Sequence, residues 1–203
     1  MIPLASQGAL LGLSAAAQPG PFQAYLVARS LRAGARRALP LVFAPLLSDP
    51  PVIATVLLVL TQVPPWVLRG LHLLGGAIVM WLGAAALREA LGGAPVRATG
   101  EGHEARGLLR ATLVNLTNPN AWISWSVIGG PILVAAWRRA PSQAIAFTVA
   151  FYALLVGGNA ALVVLAARAA AAGPRLARGL GILSGAALIA FGVWQIVLGV
   201  SGA

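Results

Sequence analysis

The stretch Asn115-Leu116-Thr117-Asn118-Pro119-Asn120 interrupts an apolar run in the second half of the chain, and Gln18-Pro19-Gly20-Pro21 interrupts another near its start. Proline lacks a backbone N–H and its ring clashes with the preceding turn, so each motif predicts a break in a helix. Backbone in lipid must satisfy its own hydrogen bonds, and an irregular turn survives there only beside protein or a water-filled cavity. The two motifs therefore predict a polar site between broken membrane helices.

The composition around these motifs is that of an integral membrane protein. The 203 residues are 59% hydrophobic and 9% charged, with a mean hydropathy of +0.87, whereas about 25% of residues in a soluble domain are charged. Six apolar stretches approach or exceed the ~20 residues that a membrane helix needs: 4–28, 38–60, 66–87, 107–136, 142–167 and 177–200. We expect an all-α, polytopic membrane protein with six transmembrane helices, of which the first and fourth are broken.

The formal charge of +10 predicts an orientation rather than a nucleic-acid partner. All fourteen basic residues are arginines, and they lie between the apolar stretches, as at the cytoplasmic ends of membrane helices. One side of the six-span topology receives Arg29, Arg32, Arg36, Arg37, Arg88, Arg97, Arg106, Arg110, Arg168, Arg175 and Arg178. The other side receives only Arg69, Arg138 and Arg139. The first side is predicted to be cytoplasmic and to face the anionic headgroups of the lipid bilayer, with both termini outside.

The chain divides near its midpoint into two related halves. Residues 91–106 form the only long polar segment and predict a linker between a first repeat, about 1–90, and a second, about 107–203, in a single membrane domain spanning 1–203. Gly76 aligns with Gly185 and Gly83 with Gly192 at a constant offset of 109 positions. Since each half holds an odd number of spans, the two copies must lie in opposite orientations, which predicts the inverted repeat of many secondary carriers.

The two breaks are also the predicted substrate site. Broken helices in matching halves are the best sequence indicator of such a site. Carbonyls freed by the prolines are acceptors for an ammonium group, and a helix restarting after a proline presents N–H groups to a carboxylate. The alternative is a proline kink used only for packing. The predicted binding residues are Gln18, Pro19, Gly20, Pro21, Gln23, Asn115, Thr117, Asn118, Pro119, Asn120 and Trp122.

Asp49 is the only acid predicted inside the bilayer, about midway along the second span. An Asp at a helix centre costs roughly 2.5–3.5 kcal/mol on insertion scales, so it needs a partner, a proton or a wet cavity. A low dielectric favours the neutral form of a carboxyl group, which makes Asp49 the predicted proton-coupling residue. In the alternative interpretation, Pro50-Pro51 ends or kinks the helix and leaves Asp49 hydrated near an interface.

These motifs resemble a known family. The two proline motifs, together with Ser30-Leu31-Arg32-Ala33-Gly34, the acid in the second span and the glycines from Gly75 to Gly83, are similar to those of the LysE/RhtB amino-acid exporters. The resemblance covers nearly the whole chain. It implies a six-helix exporter in the plasma (inner) membrane, with an amino acid or similar small metabolite as its small-molecule substrate and proton exchange as its driving force.

Other functions are less well supported by the sequence. Efflux of a metal cation would need imidazole or thiolate ligands, but the chain has no cysteine, and its two histidines lie at the edge of a span and in a loop. An intramembrane enzyme would need an acid pair, a metal set or a nucleophile with a base. A non-transporting accessory protein stays open, because small-residue helix faces also build oligomers such as a homodimer. The sequence predicts no catalytic residue, no cofactor and no metal.

Overall fold

The computed structural model describes residues 3–18, 20–59, 65–92 and 103–201, and within these ranges the chain is helical without strands. The helices are α1 (Leu4–Ala17), α2 (Pro21–Ala33), α3 (Ala35–Ala38), α4 (Ala44–Val59), α5 (Pro65–Gly92), α6 (His103–Leu116), α7 (Pro119–Ser124), α8 (Gly130–Arg139), α9 (Pro141–Ala171) and α10 (Pro174–Ser201). A 3-10 segment, Leu39–Phe43, leads into α4, and a π-helical segment, Trp125–Gly129, joins α7 to α8. The all-α prediction is confirmed for the described residues.

Four helical segments in the described ranges are long and apolar enough to cross a membrane. They are Ala35–Leu58, Arg69–Gly92, Pro141–Ala171 and Pro174–Ser201, and they correspond to the second, third, fifth and sixth predicted stretches. The arrangement of six spans as two repeats stays a prediction. Most of the predicted linker, 91–106, lies outside the described residues.

The first and fourth apolar stretches are broken where the prolines predict. The helix α1 ends at Ala17 and α2 begins at Pro21, while α6 ends at Leu116 and α7 begins at Pro119. With 14 residues, α1 is about 21 Å long at 1.5 Å per residue, which is short of the ~30 Å hydrocarbon core of a bilayer. Neither stretch therefore provides one continuous spanning helix.

The most extensive helix packing joins α5 to α10 through four glycines. A Cβ atom at Gly76 would lie 2.8 Å from the Gly192 carbonyl oxygen, and one at Gly192 would lie 2.7 Å from the Gly76 oxygen. Gly83 and Gly185 face each other in the same way, at 2.9 Å and 3.2 Å. Because the partner number falls as the residue number rises, the two helices are antiparallel, and their backbones approach as closely as only glycine permits.

The same two helices also cap each other's C-termini. Arg69 of α5 donates from Nε to the Gly199 carbonyl, at 2.8 Å, and from Nη2 to the Val200 carbonyl, at 3.0 Å. Arg178 of α10 donates from Nη2 to the Leu91 carbonyl, at 3.1 Å. The last carbonyls of a helix have no partner within it, and a cation there also interacts favourably with the helix dipole. Arginine hydrogen bonds thus join α5 and α10 at both ends of the pair.

The helices α1 and α9 form a second close pair, which is parallel. The glycines Gly8 and Gly12 of α1 lie against the backbone carbonyls of Phe147 and Phe151 on α9, so that an added Cβ would overlap these oxygens. The four-residue spacing repeats on both helices, as expected for one face of each helix. This pair brings α9 alongside the first break.

The second predicted span keeps its helix through the double proline. The helix α4 runs from Ala44 to Val59 with Pro50 and Pro51 inside it, and Asp49 is only 3% exposed. The prolines therefore do not end the helix, and Asp49 is buried among the helices rather than hydrated. Its depth in the membrane stays a prediction. The two carbonyls that lose a donor belong to Leu46 and Leu47, and both residues lie on the exposed face of the helix.

Candidate functional site

A cavity of about 530 Å³ lies between the two breaks. Its size falls within the range of ~300–1,000 Å³ that is typical of small-molecule sites. The lining residues are Leu11, Ser14, Ala15, Gln18, Gly20, Phe22, Gln23, Pro45, Asp49, Asn115, Asn118, Asn120, Ala121, Ser124, Trp125, Ile128, Gly129, Phe147, Phe151 and Leu155. Seven of the predicted site residues are among them: Gln18, Gly20, Gln23, Asp49, Asn115, Asn118 and Asn120.

Asp49 lies in the wall of this cavity and is held by uncharged donors. Asn115 donates from Nδ2 to Asp49 Oδ1 at 2.9 Å, and Tyr152 donates from its hydroxyl to Asp49 Oδ2 at 3.2 Å. Ser48 lies 3.4 Å from Oδ1 and also accepts from Asn115 Nδ2 at 2.7 Å. The indole of Trp125 interacts with the same carboxyl group. The network ties α4 to α6 and α9, and none of these partners carries a charge.

The second break is shaped by Asn118 and Pro119. Asn118 has extended backbone angles (φ −78°, ψ 110°), and its Oδ1 accepts from the Asn120 N–H at 3.1 Å, which makes it the N-cap of α7. Pro119 takes the first helical position, where its missing N–H costs nothing. Asparagine and proline therefore restart the helix at this point, and the Asn118 and Asn120 side chains line the cavity.

Two side chains reach back across the breaks to freed carbonyls. Gln23 donates from Nε2 to the Ala15 carbonyl at 3.1 Å. In a continuous helix this carbonyl would accept from the N–H of residue 19, but that residue is proline and has no N–H. Trp122 donates from Nε1 to the Leu116 carbonyl, at 2.8 Å. Buried backbone acceptors need a partner, and here side chains supply it. These two carbonyls are consequently engaged and not open to an ammonium group as the structure stands.

Four of the other predicted residues, Pro21, Thr117, Pro119 and Trp122, do not line the cavity. Trp122 caps the end of α6, and Thr117 donates from Oγ1 to the Leu113 carbonyl at 2.8 Å. Pro21 and Pro119 are buried as the first residues of α2 and α7. Pro19 lies outside the described residues. The prolines and Thr117 thus shape the breaks, while the amides beside them face the cavity.

The sequence does not identify several residues that line the cavity or support Asp49. Tyr152 lies 103 positions from Asp49 in an apolar helix, and only its being one of two tyrosines in the chain distinguishes it. No sequence pattern distinguishes Ser48, which directly precedes Asp49. The aromatic wall of Phe22, Phe147 and Phe151 resembles any apolar helix face in sequence. Within the described ranges, no three His, Cys, Asp or Glu residues come together to hold a metal ion.

Comparison with known proteins gives one family. The family model described as LysE type translocator matches residues 13–199, a range that includes both breaks, Asp49 and the α5–α10 pair. Neither curated proteins nor solved structures give a significant match. The matched range covers well over half of the chain.

Proposed function

Since the chain belongs to the LysE type translocator family, we propose that it is a secondary active exporter of amino acids or related small metabolites, coupled to protons. Membership of this family makes the chain a membrane transport protein and sets it among transporters rather than enzymes. The export direction, the proton coupling and the substrate site are the parts that we propose.

One observation carries the proposal: two helix breaks, far apart in the sequence, line a single cavity together with a buried acid. Amides from both breaks, Gln18 on one side and Asn118 and Asn120 on the other, border the same space as Asp49. Carriers typically bind substrate where broken helices meet. The irregular backbone there offers N–H and C=O groups that a regular helix would pair internally. A kink used only for packing would not need a cavity of this size bordered by amides from both breaks.

The first break offers complementary groups to a zwitterion. No side chain caps the N-terminus of α2 at Gly20, so the first-turn N–H groups are available to a carboxylate, and Gly20 borders the cavity. The amide oxygens of Asn118 and Asn120, which line the same cavity, are the proposed acceptors for the ammonium group.

Asp49 is the proposed proton site. A carboxylate surrounded by uncharged donors and buried among helices is costly to keep ionised, and taking up a proton removes that cost. The donors Asn115 and Tyr152 stabilise the ionised form, so both protonation states are accommodated in the same place. We propose that a neutral Asp49 accompanies a closed, dry passage and that an ionised Asp49 accompanies access to water.

The packing of α5 on α10 supports the inverted repeat. Adding 109 to each α5 residue number and subtracting 109 from each α10 residue number turns the Gly76–Gly192 contact into Gly185–Gly83. This is the other close contact of the pair. The same shift turns Arg69 into Arg178 and Leu91 into Val200, so it also exchanges the two arginine caps. A two-fold axis between antiparallel helices must be perpendicular to them, and hence parallel to the membrane plane. We propose that two three-helix halves related by this axis rock around the cavity.

The excess of arginines on one side of the predicted topology supports the proposed orientation. We propose that the chain resides in the plasma (inner) membrane with both termini outside and the arginine-rich ends inside. A homodimer is compatible with the exposed apolar side chains, but one chain alone supplies the lining of the cavity.

Efflux from proteoliposomes tests the proposed coupling. The Asp49→Asn variant keeps the size of the side chain but cannot exchange a proton, and we expect it to abolish substrate efflux driven by a pH gradient, while Asp49→Glu retains part of it. Substrate-dependent thermal stabilisation of the same variants separates binding from coupling. Undiminished, pH-gradient-dependent efflux by Asp49→Asn would refute the role of Asp49, and stabilisation by no amino acid would favour an accessory protein.

A further inference from the structure

We propose that Asn159 of α9 is the second-half counterpart of Asp49 and lines the transport path in the state that opens to the opposite side of the membrane. This inference rests on the proposed function, because it requires two halves that rock around the cavity. It adds a residue of the path that does not line the present cavity. Three observations carry it: the unpartnered amide of Asn159, its place along α9 and its relation to the first break.

Asn159 is a fully buried amide without a partner. Its exposed fraction is 0%, and neither Nδ2 nor Oδ1 forms a hydrogen bond within the described ranges. A carboxamide offers both donors and an acceptor, and burying it unpaired is costly. Such a group in a native structure needs an explanation beyond packing. A second state in which both atoms find partners provides one.

Gln195 of α10 is also fully buried and unpartnered within the described ranges, but its surroundings differ. A Cβ atom at Gly75 would lie 3.3 Å from Gln195 Oε1 and 2.5 Å from the Thr117 carbonyl oxygen. Rotating the terminal amide of Gln195 by half a turn directs Nε2 towards the side on which this carbonyl lies. Gln195 also borders Gly76, inside the α5–α10 contact that the proposed two-fold axis crosses, so we expect it to stay enclosed in both states.

The position of Asn159 along α9 places it just beyond the present cavity. Three residues of α9 line the cavity at intervals of four: Phe147, Phe151 and Leu155. Asn159 is the next residue in this row, about 6 Å beyond Leu155 along the helix. One turn further on, the Val163 carbonyl accepts from Ser30 Oγ of α2. Asn159 therefore lies between the cavity and a contact that joins α9 to α2.

The first break faces this part of α9 as the second break faces Asp49. Asn115, in the last turn of α6 before the second break, donates to Asp49. Ala16, in the last turn of α1 before the first break, packs against α9 at Gly158, where an added Cβ would lie 2.6 Å from the Ala16 Cβ. The sequence spacing agrees, since adding 109, the offset that relates α5 to α10, to residue 49 gives 158. Asn159 is thus the polar residue of α9 at the level that corresponds to Asp49 of α4.

This correspondence explains the unpartnered amide. A carrier built from two related halves opens to the opposite side when one half moves against the other around a fixed site. In the present state Asp49 borders the cavity and Asn159 is enclosed. In the exchanged state Asn159 borders the cavity, and its amide binds water or the polar groups of the substrate. Because an amide does not titrate, Asp49 alone carries the proton, and Asn159 contributes only hydrogen bonds.

Replacing the amide by an apolar group with the same branching separates this role from packing. We expect Asn159→Leu to unfold in detergent at the same temperature as the unmodified protein or higher, because it removes an unpaired buried polar group. Efflux of an equimolar mixture of the standard amino acids from proteoliposomes should be at least about tenfold slower, the loss expected for a hydrogen bond to a charged group. Asn115→Leu is the matched control, since its amide is paired with Asp49, and we expect it to lower both the unfolding temperature and the efflux.

Thiol labelling measures the opening directly, because the chain contains no cysteine. Proteoliposomes with Asn159→Cys are treated with N-ethylmaleimide, which reacts efficiently only with a thiol that water reaches. The labelling rate is compared with and without a pH gradient and the amino-acid mixture, from which cysteine is omitted. A minor state is typically about 0.1–10% populated, so conditions that populate it to about half raise the labelling rate at least about fivefold. Gln195→Cys is the control and should stay unlabelled in both conditions.

The outcomes separate this inference from the proposed function. Unchanged labelling of Asn159→Cys, equal labelling of Gln195→Cys, or undiminished efflux by Asn159→Leu would overturn the inference and leave the carrier in place. A loss of stability in Asn159→Leu as large as that in Asn115→Leu would assign Asn159 to packing and overturn it as well. No efflux of any amino acid by the unmodified protein would overturn the proposed function, and the inference with it.

Discussion

At the residue scale, the centre of the site is a carboxyl group on α4 whose hydrogen-bond donors come from two other helices. Asp49 of α4 accepts from Asn115 of α6 and from Tyr152 of α9, so its environment depends on how these helices sit relative to one another. A movement of α6 or α9 would change the number of donors to the carboxyl group. The site therefore links its preferred charge to the arrangement of the bundle.

The two tyrosines of the chain give a matched test of this network. Tyr152 donates to a carboxylate oxygen at 3.2 Å, whereas Tyr25 makes a longer contact, 3.5 Å, to the Gly107 carbonyl. We expect Tyr152→Phe to lower the free energy of unfolding by about 1–3 kcal/mol, since it leaves a buried charged group short of a donor. Tyr25→Phe should cost about 0.5–1 kcal/mol or less. Denaturant titration in detergent micelles measures both, and equal losses would argue against the network.

How much of the site is predictable from sequence differs among these residues. Asp49 and Asn115 are recognisable because a polar residue in an apolar span is costly and therefore conspicuous. The role of Trp122 is not recognisable, since an indole near a break either lines a pocket or caps a carbonyl, and only the hydrogen bond to Leu116 decides between these roles. Tyr152 becomes a partner of Asp49 only through the packing of α9.

At the scale of elements, the glycines of α1 decide how closely α9 approaches. The spacing of Gly8 and Gly12 predicts a small face but not the helix that meets it, because any helix backbone fits such a face. The breaks are better determined by sequence, since proline acts on its own helix. The hydrogen bonds from Arg69 and Arg178 to the C-terminal carbonyls of α10 and α5 are not predicted from sequence. There, the arginines indicate only the side of the membrane.

Adding one methyl group tests the α1–α9 contact. We expect Gly12→Ala to lower the free energy of unfolding by about 1–3 kcal/mol, because the new Cβ overlaps the Phe151 carbonyl and the helices must separate. Gly157→Ala is the control, since nothing lies within 4 Å of its added Cβ, and the higher helix propensity of alanine should stabilise it by up to about 1 kcal/mol. Thermal unfolding of the purified proteins compares them, and a harmless Gly12→Ala would contradict the close approach.

At the scale of the whole molecule, arginines set the expected orientation and α9 offers a way to measure it. Its 31 residues extend about 46 Å, enough to reach both sides of a bilayer. Ser142 near its start and Ala172 just beyond its end are both exposed. Because the chain contains no cysteine, a single introduced thiol at either position reports its side without background.

We expect a membrane-impermeant maleimide to label Ser142→Cys in intact cells and Ala172→Cys only after permeabilisation. The physical reason is the positive-inside rule, with Arg168 and Arg175 flanking Ala172. Labelling in the opposite order would reverse the proposed orientation, and labelling of both in intact cells would contradict a spanning α9.

The arrangement of the halves is only partly available from sequence. The offset of 109 positions relates Gly76 to Gly185 and Gly83 to Gly192, but aligned letters do not say which residues touch. The structure pairs them crosswise, Gly76 with Gly192 and Gly83 with Gly185, and this crossing requires an antiparallel pair. Contact geometry supplies the orientation that an alignment lacks.

The crosswise glycine contact has a consequence for the origin of such a chain. Because each of the two helices presents the surface that the other one needs, a single half would be self-complementary, and two separate copies inserted in opposite directions would dock as these helices do. An ancestral three-helix protein of dual topology could therefore have assembled before any gene fusion. If the two halves are such copies, joining them in one polypeptide would free each to diverge, with the acid retained in one half and the asparagines in the other.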